Sequence, residues 1–258
     1  MQLDRDTLMH MTSTPRTPPE PQFQDSTFFS RLAVFITVVV FAGFILNGVV
    51  NHEQFGRFTL WIGLHGACSA AWYLLLINQL RLSRAGRMEA HRRMGKLSVV
   101  LVIGILSTGV MMVLGLYDYL VNIGAFDPSD ASARTRAGGL IGGTFLQWII
   151  FAALYILGLL NVRNPTHHKR FMLASAIQMM PESLSRITHV LGLPGYGMLI
   201  IMFLVYLSIM VYDWRTDRRL HWSTLTSLAL FILLAISIYT VFRSQVWGDW
   251  VVNVLSGI

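Results

Sequence analysis

Apolar residues make up 54% of this 258-residue chain, charged residues only 13%, and the apolar ones fall in blocks of about twenty. That is the length a helix needs to cross the hydrocarbon of a bilayer. Seven such blocks are legible, at 31–50, 58–80, 94–116, 144–162, 171–193, 198–214 and 223–242. Periodicity inside them is weak, as expected of helices with apolar surroundings on every side. The expected fold class is therefore an all-α membrane protein with seven transmembrane helices, and its first partner is the lipid bilayer.

Cations near span ends are retained on the cytoplasmic side. Arg81, Arg84, Arg87, Arg92, Arg93 and Lys96 follow the second block, Arg163, Lys169 and Arg170 the fourth, and Arg215, Arg218 and Arg219 the sixth. The opposite connections carry only Arg57, Arg134 and Arg136. In a seven-span chain all three basic groups share one side. The amino terminus is then cytoplasmic and the carboxyl terminus outside, which suits a multi-pass protein of a bacterial inner membrane. The formal charge of +7 is mostly this topological bias, and no nucleic-acid partner is expected.

Residues 1–30 are polar, with Pro15, Pro18, Pro19 and Pro21, and read as a disordered cytoplasmic tail ahead of a membrane domain at 31–258. The tail is too long for the n-region of a signal peptide. Cys68 is the only cysteine, so disulfides and thiolate metal sites built from this chain alone are excluded.

Within the membrane domain the chain repeats itself. His91-Arg92-Arg93 opens an apolar stretch that closes on Val113-Leu114-Gly115-Leu116, and His168-Lys169-Arg170 opens another that closes on Val190-Leu191-Gly192-Leu193 at the same spacing. Ahead of them, Ala70-Ala71-Trp72-Tyr73 running to Arg81 matches Ala152-Ala153-Leu154-Tyr155 running to Arg163. The repeats cover about 58–116 and 144–193. Both run in the same sense, which predicts a four-helix core built from a parallel duplicated hairpin about an axis along the membrane normal. His91 then faces His168, Ser98 matches Ser175, Gly104 matches Pro181, and His65 matches Gln147. Gly104 and Pro181 are places where either helix can bend.

The fifth block is unusual in carrying Gln178, Glu182, Arg186 and His189. His168 and Arg186, eighteen residues apart, share a helix face, with Glu182 and His189 close to it. A charge at membrane depth costs roughly 3 kcal/mol or more, so Glu182 and Arg186, at i and i+4, are expected to pair and face the bundle. Depth sorts the histidines into an outer layer, His65 and His189, and an inner one, His91 and His168. His91 lies about 9 Å before Leu97, where its continuous apolar run begins, so helix entry in a basic belt is the plainer reading of the inner pair. His10, His52 and His221 read as solvated.

Paired histidines on facing helices are what bis-imidazole haem b ligation needs. The arrangement resembles the cytochrome b561 type of di-haem membrane reductase, whose central helices carry axial histidines in pseudo-symmetric pairs. That resemblance implies electron transfer across the membrane, with haem iron held by His91 and His168 and a second group held by His65. The chain departs from the pattern at Gln147, where the second outer ligand should stand, and His189 would have to substitute. A broader likeness, covering most of the chain after the tail, is to uncharacterised bacterial multi-pass membrane proteins. They share a histidine in the second span, an HRRxG entry (His91 to Gly95), an HKRxM entry (His168 to Met172), an arginine like Arg186, and a Tyr-Asp then His pattern like Tyr212-Asp213 and His221. That likeness implies no particular reaction.

Three functions remain open at this point. The first is haem b binding with electron transfer, working with a redox partner. The second is transport of a proton, ion or small anion along the Glu182 and Arg186 stripe. The third is a non-catalytic accessory or assembly role in a larger membrane complex, with the basic belt on acidic lipid head groups. A GxSxG elbow, an HExxH helix, a Walker loop, a dinucleotide fingerprint and the histidine boxes of a di-iron hydroxylase are all missing from the sequence. The seventh block has no lysine for a retinal Schiff base. Residues 118–143 read as a long outer loop with a turn at Asp127-Pro128-Ser129-Asp130, and Trp247 and Trp250 as anchors in the outer interface.

Overall fold

The computed structural model describes residues 22–52 and 59–257. Helix is the only regular structure among the described residues. The helices are α1 (Gln22–Val50), α2 (Leu60–Arg84), α3 (Met88–Asn122), α4 (Ala131–Leu160), α5 (Pro165–Gln178), α6 (Pro181–Val190), α7 (Gly197–Asp217), α8 (Trp222–Tyr239) and α9 (Gln245–Ser256), with one 3-10 turn at Val241–Arg243 before the last. Six of them, α1 to α4, α7 and α8 with its following turn, are long and apolar enough to cross a membrane. Their outward faces carry Ile45, Val100, Ile103 and Leu204, all more than half exposed, as a surface solvated by lipid would.

Local chemistry sets where the helices begin and end. Thr59 caps α2 by accepting from the Ile62 N–H, and Arg81 and Arg84 sit in its last turn, where cations complement the exposed carbonyls. Asp130 caps α4 by accepting from the Ser132 N–H. Pro165 and Pro181 open α5 and α6, at the first-turn position where the missing N–H costs nothing.

Four expectations change shape. The fifth apolar block is two helices, interrupted at Met179 and Met180 because Pro181 cannot donate to the preceding turn. At the matching position α3 runs unbroken through Gly104, which keeps its N–H and serves instead as the place where Cys68 packs: a Cβ there would stand 3.0 Å from the Cys68 sulfur. The outer loop expected at 118–143 shrinks to 123–130, since α3 continues to Asn122 and α4 starts at Ala131. The tail expected to reach residue 30 is helical from Gln22, with Phe29 and Ser30 buried; its residues 1–21 lie outside the described residues.

The expected outer loop is helical because its glycines are contact points. A Cβ on Gly138 would meet the Gly248 backbone at 2.6 Å, and one on Gly142 would meet the Trp247 indole at 2.6 Å. Helix α9 lies across α4 at these glycines. The Trp247 Nε1 donates to the Gly138 carbonyl at 2.8 Å, and Arg134 pairs with Asp249 at 2.5 Å. Trp247 is thus an internal packing residue, while Trp250 stays 56% exposed.

The centre of the bundle is aromatic. Trp72 meets Tyr73 and Phe151 edge to face, with centroids 5.3 and 5.4 Å apart, and Phe151 lies against Tyr155. Two buried hydroxyls cross between the hairpins: Tyr73 on α2 donates to the Ala176 carbonyl of α5 at 2.7 Å, and Tyr155 on α4 bonds the Ser98 hydroxyl of α3 at 2.6 Å.

Candidate functional site

Basic residues gather at one end of the bundle, and the contacts there tie together parts far apart in sequence. Arg170 and Lys169, in the first turns of α5, lie over the Phe29 ring near the start of α1. Arg170 reaches Asp213 near the end of α7, and His167 bonds the Ser223 hydroxyl at the start of α8 at 2.9 Å. His91, in the first turns of α3, meets His168 of α5 with ring centroids 6.4 Å apart and planes at 79°.

Both imidazoles of that pair are held in the same way. His91 Nδ1 lies 3.2 Å from the Gln79 carbonyl at the foot of α2, and His168 Nδ1 lies 2.7 Å from the Gly158 carbonyl at the foot of α4. A carbonyl only accepts, so each Nδ1 carries a proton, and in its neutral form each ring has its lone pair on Nε2. Among the described residues neither Nε2 has a hydrogen-bond partner. Gln79 completes the inner clamp by donating its side-chain amide to the His91 carbonyl at 3.1 Å, while its own amide oxygen is buried without a partner. Fixing of Nδ1 by a carbonyl is the usual second-shell arrangement of a metal-binding histidine. A metal ion or metal-centred cofactor held by this pair would take its ligand nitrogens from the two Nε2 lone pairs.

The outer layer differs. His65 Nδ1 is likewise fixed, 3.0 Å from the Ile105 carbonyl, and its ring lies 5.9 Å from Trp148. Facing it, however, there is no second imidazole: His189 is exposed and among the described residues makes no ring contact with His65. Gln147 is 4% exposed with an unpartnered amide nitrogen. Glu182 and Arg186 form the expected i, i+4 pair at 3.5 Å, and the Arg186 guanidinium donates to the Glu182 carbonyl and lies over the Phe44 ring. The expectation that the pair turns fully inward is corrected, because the side chains are 40% and 33% exposed. The reason is that α6 turns its small residues inward: Ser183 fills the contact with α1, donating to the Val39 and Val40 carbonyls at 2.9 Å beside Gly43.

One buried constellation escaped the sequence reading. Arg170, 1% exposed, donates through Nε and Nη2 to Asp213, 0% exposed, at 3.0 and 2.5 Å, and through Nη1 to the Thr166 carbonyl. The Thr224 hydroxyl satisfies the other Asp213 oxygen at 2.6 Å. His221 is buried, not solvated, and bonds Asp217 at 2.6 Å. His167 accepts from the Trp222 indole at 2.9 Å. Asp213, Asp217 and His221 bring ligand atoms within 4.8 Å of one another, but the Arg170 guanidinium already occupies that cluster, paired with Asp213 and 3.6 Å from Asp217 as well. Its chemistry is that of an ion-pair anchor. An aspartate inside the sixth apolar block was the available signal for it.

No family model, curated protein or solved structure matches this chain.

Proposed function

We propose that the chain holds one haem b between His91 and His168 and takes part in electron transfer at the basic face of the membrane. The carrying observation is the inner pair: two carbonyl-fixed imidazoles, both Nε2 lone pairs without partners, and a 6.4 Å centroid separation. Haem in such a site supplies a one-electron carrier whose potential is set by its axial ligands and their hydrogen bonds. The chain's own part is to fix both ring tautomers through Gln79 and Gly158, and to anchor the α5 entry through Arg170 and Asp213. With a single fixed imidazole in the outer layer, at His65, the reading takes one haem per chain and not two.

The same reading includes seven spans, α5 and α6 together forming the fifth. Support comes from the contacts that join the starts of α1, α3, α5 and α8 to the ends of α2, α4 and α7 at the basic end, an arrangement that suits an α5–α6 pair running the length of the bundle. Gly158 against Met172 and Thr188 against Gly197 fix its antiparallel neighbours. The crossed bonds from Tyr73 and Tyr155 support the duplicated hairpin, since each hairpin's first helix reaches the other's second. With cations retained inside, the basic end faces the cytoplasm of a bacterial cell and the carboxyl terminus lies outside.

The test is the visible spectrum of full-length protein expressed with added haem precursor and purified in mild detergent. A dithionite-reduced minus oxidised spectrum with sharp low-spin bands is expected at one haem per chain. A colourless preparation with intact helical circular dichroism rejects the reading.

A further inference from the structure

Remote from the basic end, three helix ends meet without closing against one another. They leave a cavity of about 320 Å³, bounded by Trp61 at the start of α2, by Leu255 in the last turn of α9, and by Met111, Leu114, Gly115, Tyr117 and Asp118 towards the end of α3. Met111, Leu114, Gly115 and Asp118 stand at i, i+3, i+4 and i+7, so one face of α3 forms the long wall. At 1.5 Å per residue that wall runs about 10 Å, from a thioether at one end to a carboxylate at the other.

The wall crosses the edge of the bilayer. The uncharged run of α3 starts at Leu97, and the twenty residues that span hydrocarbon end at Leu116. Met111 and Leu114 then lie in hydrocarbon and Asp118 among the head groups. Gly115, between them, lacks the usual reasons for a glycine. Its φ is not positive, and a Cβ there would stand in open space, with nothing beyond its own helix within 4 Å. Glycine weakens a helix interior; here the missing side chain keeps the cavity open.

The lining carries one charge. Among the described residues Asp118 makes no hydrogen bond or ion pair, and no cation lines the cavity. Beside it are the Trp61 indole and the Tyr117 ring, which is held against Phe126 with centroids 5.8 Å apart. A carboxylate next to two aromatic rings attracts an ammonium group, through charge and through the negative ring faces. The apolar half offers nothing to a hydrated inorganic cation but fits a hydrocarbon chain. The volume is that of a small-ligand site.

We propose that this cavity seats a membrane lipid whose head group ends in an ammonium. Asp118 pairs with the ammonium, Trp61 and Tyr117 flank it, the phosphate lies over the open space at Gly115, and Met111, Leu114 and Leu255 hold the start of an acyl chain. This inference goes beyond the haem reading and does not rest on it.

Native mass spectrometry of the full chain, titrated in detergent with phosphatidylethanolamine or phosphatidylglycerol, tests the site. Wild type is expected to hold one phosphatidylethanolamine about tenfold or more tighter than phosphatidylglycerol. Asp118→Asn is expected to weaken phosphatidylethanolamine by about tenfold or more, the scale of a lost charge-assisted bond, and to leave phosphatidylglycerol unchanged. Gly115→Leu places its side chain in open space on a helix that leucine favours. It is expected to keep its helical circular dichroism and lose the lipid. Equal affinity for the two lipids overturns the proposal, as does wild-type binding by Asp118→Asn or Gly115→Leu. Displacement of the lipid by ethanolamine alone would make the ligand a free amine, and a wild-type dimer broken by Gly115→Leu would make it a second copy of the chain; either result also overturns it.

Discussion

The inner and outer layers of this bundle begin with the same part and end differently. In each, a histidine is fixed through Nδ1 to the carbonyl of a neighbouring helix. At the inner layer a second imidazole, fixed in the same way, stands 6.4 Å from the first; at the outer layer the ring against His65 is the indole of Trp148. One fixed imidazole can serve as a base or a donor, and two facing each other suit the ligand pair proposed above. The facing residue, more than the histidine, decides which chemistry a layer can perform.

The largest expected effect lies at the ligand pair. His91→Ala or His168→Ala is expected to abolish the low-spin visible spectrum, and His65→Ala to leave it intact. Equal loss from all three would erase the distinction between the layers. Next come two of the arginine–carboxylate pairs, Arg170–Asp213 and Arg186–Glu182. Arg170→Met strands a fully buried Asp213 and is expected to cost about 3–5 kcal/mol, read as a fall in thermal unfolding temperature in detergent. Arg186→Met leaves a partly exposed carboxylate and is expected to cost much less. Comparable losses would mean that the outer pair is as dry as the inner one.

The tyrosines that join the hairpins rank third. Tyr73→Phe and Tyr155→Phe each remove one buried neutral hydrogen bond and are expected to cost about 1 kcal/mol apiece, nearly equally if the two halves are built alike. The smallest effect belongs to the outer turn. The Ser129 hydroxyl and N–H hold the Asp127 carboxyl below its usual range, and the Ser132 N–H and hydroxyl do the same for Asp130. Because both are lowered in the folded chain, their contribution is present at neutral pH and is lost as pH falls through those lowered values. Asp130→Ala is expected to lower the unfolding temperature slightly at pH 7 and to make no difference in strong acid.

Much of this was legible in the sequence because lipid imposes so few solutions. The apolar blocks located the helices, and the repeated entry motifs pointed at His91 and His168. The Arg170–Asp213 anchor was not legible: its partners are 43 residues apart, and a cation at a helix entry looks the same whether it serves topology or a buried carboxylate. His221 looked solvated because it sits in a short connection; its Asp217 partner is only four residues away, and the contact that sequence does not show is with His167 of α5. The glycines of 138–143 suggested a loop, when they are the positions at which α9 can touch α4. Absence of a side chain reads alike whether it permits flexibility or contact.

The break before Pro181 bears on biogenesis. In the proposed topology the α5–α6 segment is the span least able to partition into lipid by itself, because Gln178, Glu182, Arg186 and His189 all ride on it and a central charge alone disfavours insertion by about 2.5–3.5 kcal/mol. It must therefore wait in the translocation machinery until α4, or the later-made α7, shields its polar stripe, so that the segment richest in chemistry is also the last to settle in the bilayer.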